Sequence, residues 1–449
     1  MNIDRKAYSK LINWRESPDR KPLLIRGARQ VGKSHLVRRA GSTFSNMVEV
    51  NFERKPEARK IFGGDLSPRV LIPAISAYFN AELIPGKSLL FLDEIQECPE
   101  AIKSLRYFYE ECPSLHVIGA GSLLEFELAR TGVPVGRVEF LHLHPISFLE
   151  FLSALGEVSF LEALANHPLD HPINPALHKK GLDLVKLYTA LGGLPEVVST
   201  YIDGRNLDRC QEIQSQLIHS YRQDMRKYVS RARIPHAEDI MNAIPRHWGE
   251  KFKFSKVRDD ARAFQLAEAL DLLVSAGVAH KVFHSSSNGV PPGSEIDRKR
   301  FKVIFFDVGL GQALMGLRLS SWVVESSESV LRQGRLIEQF VGQELVAAGN
   351  PSLPAELYYW HREARTSNAE VDYVVPLGPR LVPVEVKSGA VGAMRSLHLF
   401  LAEKPQHTLG LKVSQDNFSR HEKILSLPLY ALSRLPQAVI NSVPNPTTT

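Results

Sequence analysis

Between Leu23 and Ser34 the chain reads LLIRGARQVGKS, and this stretch constrains the fold more than any other. Leu23 to Ile25 are apolar and read as a short strand, and SHLVRRA from Ser34 onward reads as a helix. Between them Gly27, Gly32, Lys33 and Ser34 take the fixed places of the pattern G-x-x-x-x-G-K-[ST]. The glycines let the backbone curl, so that the N–H groups along Gly27, Ala28, Arg29, Gln30, Val31, Gly32, Lys33, Ser34 and His35 face a bound phosphate. The helix N-terminus adds its positive end. Lys33 is expected to reach the β and γ phosphates of ATP, and Ser34 to hold Mg²⁺. The strand before the loop and the helix after it argue against a chance glycine turn.

A second stretch has the complementary chemistry. SLLFLDEIQECP carries four apolar residues, Leu89 to Leu92, and ends in Asp93 and Glu94. This is the pattern of a buried parallel strand that delivers acids at its C-terminal edge. Asp93 is expected to bind the Mg²⁺ through water and Glu94 to polarise the attacking water. A small-molecule kinase has no use for a base acting on water, so the acid pair favours hydrolysis. The next strand, LHVIGAGS, ends at Ser122, a residue able to sense the γ-phosphate or simply to serve the turn. Further on, Arg137 in a Gly-Arg pair, with Arg130 upstream, is a candidate to stabilise charge on the transferring phosphoryl; the competing reading is a surface arginine.

Together GARQVGKS, LLFLDE, GAGS, VGRVEFLHLHPISFLEF and LGGLPEVV (Leu191 to Val198) resemble prokaryotic AAA-type ATPases that end in a nuclease-like domain, over about residues 5 to 430. The resemblance implies an α/β P-loop core at residues 1–146 that hydrolyses ATP, a helical lid at 147–235, and a homo-oligomer such as a hexameric ring.

Bulk composition agrees with several domains and restricts the setting. A chain of 449 residues exceeds one compact core. Lys and Arg outnumber Asp and Glu by 55 to 49, but from Arg222 to Lys302 the count is 16 to 10, so this middle segment holds the whole surplus. Cys98, Cys112 and Cys210 are not in a zinc-ligand spacing, and with the charged start MNIDRKAYSK they lead to the expectation of a reducing, cytoplasmic setting without a membrane span.

Within the middle, 236–320, a helix with Phe264, Ala267, Leu270, Leu273 and Val274 on its apolar stripe precedes two strands, Ala279 to His284 and Phe301 to Phe306. This outlines a winged helix. Lys251, Lys253, Lys256 and Arg258, with Arg298, Lys299, Arg300 and Lys302 on the wing, would supply phosphate contacts to a nucleic acid, DNA favoured. Winged helices also serve as protein-docking spacers.

In the segment 321–435, VPVEVKSG alternates, so Val382, Val384 and Val386 share one face and Glu385 and Lys387 the other. If Leu377 to Arg380 is the turn, the hairpin pairs positions summing to 757 and sets Asp372 across from Glu385, with Cβ atoms ~5 Å apart. Two such carboxylates are able to share a hard cation. Glu338 in GRLIEQFVGQEL lies on one helical side with Val341 and Leu345. The set Glu338, Asp372, Glu385 and Lys387 resembles the restriction-endonuclease type of core, PD-(D/E)XK, although Val371 stands where the family name has proline. That likeness implies Asp372 and Glu385 on Mg²⁺ or Mn²⁺, with Lys387 steadying water or the scissile phosphate. Two plainer readings are exposed salt bridges on a hairpin, and a nuclease fold kept for docking. The ATPase would then be a motor or processing enzyme on DNA, branched DNA included, or an ATP-gated interaction switch with a protein partner. Residues 436–449 read as a loose tail.

Overall fold

In the computed structural model of the protein, described residues are 3–122, 124–132, 136–228, 233–362, 369–388 and 394–440. Val135, Gly389, the side chain of Arg130 and the tail beyond residue 440 lie outside them.

Five short strands build the first sheet: β1 (Leu23–Arg26), β2 (Asn46–Asn51), β3 (Ser88–Asp93), β4 (His116–Ala120) and β5 (Glu139–His142), in the order β2-β3-β4-β1-β5. All pairings are parallel. Every residue of β3 and β4 is buried, as a parallel strand covered on both faces requires. Leu24, Leu90, Leu92 and Val117 face a core closed by Ile75, Ile102 and Leu105 of the helices Pro68–Phe79 and Pro99–Glu111. Leu23, Ile25, Phe91 and Ile118 face the other way, into a cluster that runs without a break through the helices of residues 148–228 into the C-terminal half. Parallel strands point all C-terminal ends to one edge, and the phosphate-binding loop and the Asp93-Glu94 pair share it.

Eight strands form the second sheet: β6 (Ala279–Ser285), β7 (Ile296–Phe305), β8 (Leu357–His361), β9 (Glu370–Leu377), β10 (Arg380–Lys387), β11 (Gly410–Ser414), β12 (Ser419–His421) and β13 (Ile424–Pro428), ordered β12-β13-β11-β10-β9-β8-β6-β7. The expected middle hairpin forms, with Ala279 opposite Phe305. It is not a separate wing: β6 pairs in parallel with β8, so a division at 320/321 cuts through one hydrogen-bonded sheet. The apolar strand β7, with Phe301 to Phe305 buried, stays at the sheet's edge, and β6 uses its other edge to pair Val282 to His284 with the buried residues Leu357 to Tyr359 of β8. The helix before it, Ala263–Ser275, buries Leu266, Ala269, Leu270 and Leu273, whereas Phe264 is exposed; the stripe runs in a different phase from the one expected.

The hairpin of β9 and β10 pairs Arg380 with Leu377 through to Val384 with Tyr373, the register read from the sequence. The plainer reading of β10 as a hairpin strand with an exposed polar face does not hold for Glu385. Glu385 is buried to 2% exposure: Val382, Val384 and Val386 pack with Leu336, Ile337 and Phe340 of the helix Gly334–Ala348, and Leu381, on the face of Glu385, packs with Leu397 and Phe400 of the helix Arg395–Glu403.

Candidate functional site

The loop after β1 has the curl its glycines allow. Gly27, Gln30 and Gly32 all have positive φ, at 140°, 63° and 96°. A Cβ on Gly27 would lie 2.1 Å from the Leu143 carbonyl oxygen, so only glycine fits there. Ala28 and Val31 are buried, Gln30 is exposed, and His35 is exposed in the first turn of the helix Lys33–Gly41. Arg5 braces the loop from outside. Its guanidinium donates to the Val31 carbonyl oxygen at 3.0 Å and to that of His144 at 2.6 Å, with Glu150 3.3 Å from its Nε.

Lys33 is buried and its ammonium donates to the carbonyl oxygens of Gly27 at 2.9 Å and Ala28 at 2.8 Å. Burial lowers its pKa to about 8, against the opposing pull of Glu94 and Asp93. The hydrogen bonds of this buried ammonium go to neutral carbonyls, with the acids acting from farther off, and phosphate oxygens would bring negative charge into direct contact. Ser34 Oγ lies 2.9 and 3.1 Å from the two Asp93 oxygens, and Asn51 donates to Asp93 Oδ2 at 2.8 Å. This hydroxyl-carboxylate pair fits a Mg²⁺ held by Ser34 and, through water, Asp93. Burial raises the pKa of Asp93 and that of Glu94, and Gln96 Nε2 donates to Glu94 Oε2 at 2.7 Å. Glu94 has φ 50°, a left-handed backbone that turns its side chain away from the strand line.

Ser122 follows β4 and lines a cavity of ~260 Å³ with Gly27, Ala28, Glu125, His144, Gly277 and His280, so it sits at the loop's base. Arg137 does not reach this edge in its own chain. It precedes β5, whose Glu139 is level with Leu23 at the start of β1, and it pairs with Glu110 at 3.0 Å, at the far end of the helix Pro99–Glu111. Arg29, within the loop, does reach outward: its guanidinium pairs with Asp224 of the helix Leu207–Tyr228, and its carbonyl accepts from Tyr221.

The LGGLPEVV segment joins three parts of the chain. Gly193 N donates to Asp307 Oδ2 at 2.6 Å, Leu310 N to Oδ1 at 2.8 Å, and Ile146 N to the Gly193 carbonyl at 2.7 Å. Burial pushes the Asp307 carboxyl up to about 6, and the backbone donors oppose it. A Cβ on Gly192, at φ 76°, would lie 2.2 Å from Asp307 Oδ1.

In the second sheet the expected acids converge, around a residue that was placed elsewhere. Lys302, expected on an exposed wing as a phosphate contact, is buried at 2% exposure. Its ammonium lies 2.8 Å from Glu338 Oε1, 2.6 Å from Glu370 Oε1 and 3.5 Å from Asp372 Oδ1. Burial works to lower its pKa, and the three acids outweigh burial and hold it charged. Asp372 Oδ2 accepts from Val386 N at 2.8 Å, and Lys387 Nζ lies 2.6 Å from Glu385 Oε1. Glu385 Oε2 is buried and has no hydrogen-bond partner among the described residues. Burial raises Glu338 and Glu385 to about 7, neighbouring acids adding to the effect. Among the described residues no three His, Cys, Asp or Glu side chains gather as a metal site. The acids as placed, with Lys302 among them, do not fit the Mg²⁺ or Mn²⁺ expected on Asp372 and Glu385.

The sequence reading missed Lys302, Glu370, Gln96, Asn51 and Arg5. For Lys302 there was a signal: a lone lysine inside FKVIFF implies a buried charge that must find acids. Of the other basic residues expected to meet phosphates, Lys256 pairs with Glu250, Arg258 with Asp239 and Asp260, Arg300 with Asp297, and Lys251 with Glu370, while Lys253, Arg298 and Lys299 are exposed.

Loop, acids and parallel sheet have the arrangement of a P-loop nucleotide-binding domain. Residues 19–152 match the family model described as AAA domain. Residues 182–321 and 333–432 match two described as Domain of unknown function (DUF8612 and DUF4143). No curated protein matches. Similar solved structures include the Walker-type ATPase PABY2304 of Pyrococcus abyssi, at 17% identity and TM-score 0.44, covering 70% of this chain and 96% of that one. Others are the Aeropyrum pernix ORC1 protein in complex with DNA, at 12% and 0.27 over 72% and 95%, and Cdc6p from Pyrobaculum aerophilum, at 11% and 0.24 over 72% and 97%. None of the described helices is long and apolar enough to cross a membrane.

Proposed function

We propose that the chain is an ATP-gated switch: hydrolysis of MgATP at Lys33, Ser34, Asp93 and Glu94 changes the position of the second sheet, which docks a macromolecular partner. Mg²⁺, when bound, neutralises charge on the β and γ phosphates. The chain's own groups do the rest. The loop N–H groups and Lys33 grip phosphate oxygens, Ser34 and Asp93 hold the ion, and Glu94 takes a proton from water once Gln96 releases it. A homo-oligomer, in a ring, is the arrangement that gives Arg137 a role, since its own loop is out of its reach.

The observation that carries this reading is the contact between the loop and the turn leading into β6. A Cβ on Gly277 would lie 3.2 Å from Ala28 N, so this turn rests on the phosphate-binding backbone itself. Lys33, in leaving the Gly27 and Ala28 carbonyls for phosphate, changes the backbone on which that turn sits. Arg29 gives a second path, through Tyr221, whose ring stands edge-on to Phe306 at 5.2 Å. Amide hydrogen exchange on the full chain is the test: protection across residues 277–285 and 301–306 should differ between ATP-bound Glu94→Gln and the ADP-bound protein. Identical exchange there in both states sinks the switch.

A second reading, a nuclease that processes DNA, is favoured by one observation, the hairpin register that brings Asp372 beside Glu385 and Lys387. It predicts strand cleavage with Mg²⁺ or Mn²⁺ that Asp372→Ala and Lys387→Ala both abolish.

A further inference from the structure

The acid cluster of the second sheet is already largely neutralised by side chains. Glu338, Glu370, Asp372 and Glu385 bring four negative charges. Lys302 and Lys387 bring two positive ones, and Lys251, 3.6 Å from Glu370 Oε2, a third. Four acids less three cations leave a formal charge of −1, and a divalent ion would turn it to +1.

Geometry points the same way. A lysine ammonium has three donors, and Lys302 has three carboxylates around it, from β9 and from the helix Gly334–Ala348. It is enclosed, with the Tyr359 ring 5.4 Å away. Both oxygens of Asp372 are engaged, one by Lys302 and one by Val386 N. Glu338 Oε1 and Glu385 Oε1 are engaged by the two lysines. A hard divalent ion takes about six oxygen ligands and would sit within a few ångströms of an ammonium. Like charges so close in a buried setting repel strongly.

We propose that Lys302 is the resident cation of this cluster: its ammonium does the work a divalent ion would do, holding Glu338, Glu370 and Asp372 together, so that the second sheet keeps its form without metal. The proposal rests on the reading of this sheet as a docking module, and it removes the metal requirement from that module. A lysine bound in the chain cannot be stripped by a chelator, and the sheet is intact whatever the free Mg²⁺ level. Metal dependence then belongs to the ATP site alone.

Mn²⁺ titration followed by the electron-spin signal of the free ion tests this, on the full chain without nucleotide and carrying Asp93→Asn to silence the ATP site. With Lys302 in place no Mn²⁺ site tighter than ~1 mM is expected. Lys302→Met and Lys302→Gln should each open one site, bound at least about tenfold more tightly, which a further Asp372→Asn removes. Retention of one Mn²⁺ by the Lys302-containing chain, lost on Asp372→Asn alone, overturns the proposal, and so does a folded Lys302→Met chain that gains no site. The parent measurement decides even if neither lysine variant folds. Failure here leaves the exchange test of the switch untouched, since no nucleotide is present.

Discussion

Raising the pH from 7 to 9 is expected to weaken MgATP binding about tenfold, because only about one Lys33 in eleven keeps its proton at pH 9 when the pKa is about 8. Burial removes water from the ammonium and the loop offers it only carbonyl oxygens, so the free protein gives up that proton early. Bound phosphate restores the charged form, and affinity must therefore fall as the lysine deprotonates. The loss reaches about 1.4 kcal/mol at pH 9 and should be nearly flat below pH 7. Stability of the nucleotide-free chain moves the other way. The unfolded lysine, with its ordinary pKa near 10.5, binds the proton that the folded one has shed, so this group's contribution to stability rises between pH 8 and 10.5. A general alkaline loosening would lower both quantities. Calorimetric titration of MgATP into Glu94→Gln protein at several pH values measures the affinity, with Lys33→Arg as control, since a guanidinium stays charged throughout. A dissociation constant constant within twofold from pH 7 to 9, or an equal slope in Lys33→Arg, would refute the reasoning.

Replacing Arg5 by Met removes donors to the Val31 and His144 carbonyls and takes the guanidinium from the buried Glu150, which keeps only its bonds from Lys6 N and Ser147. A loss of about 2–4 kcal/mol is expected, visible as a melting point several degrees lower and as weaker MgATP binding. Asp307→Asn keeps one acceptor where Asp307 offers two, to Gly193 and Leu310, and should cost about 1–3 kcal/mol. Its pH dependence has a definite sign. With the folded carboxyl raised to about 6, the folded chain keeps a proton that the unfolded one sheds, so stability falls as pH rises from about 4 to 6. Relative to Asp307→Asn, urea melts of the parent protein should show a loss of up to ~3 kcal/mol across that window and none above it.

What the sequence made legible was local. GARQVGKS and the strand ending in Asp93-Glu94 each carry their geometry within a dozen residues, and the hairpin register followed from one turn at Leu377 to Arg380. Long-range pairing was not legible. Lys302 reaches Glu338 and Glu370 from a strand far away in sequence, and nothing near FKVIFF says which acids will meet it. The middle hairpin looked like a wing because its pairing is local, whereas the bond between β6 and β8 that absorbs it into the larger sheet spans more than seventy residues. Alternation gives β10 two faces but does not say whether Glu385 meets water, and only the helices packed on the two faces decide that both are dry. Arg137 was legible as an arginine, but the edge of the sheet it sits on was not, since strand order places it.

The account depends most on Glu94 acting on water in a site that binds ATP without it. Single-turnover release of phosphate from MgATP, compared between the parent chain and Glu94→Gln, measures that directly. At least a ~10²-fold slower release is expected, with MgATP affinity unchanged. Release from Glu94→Gln at the parental rate would contradict the assignment.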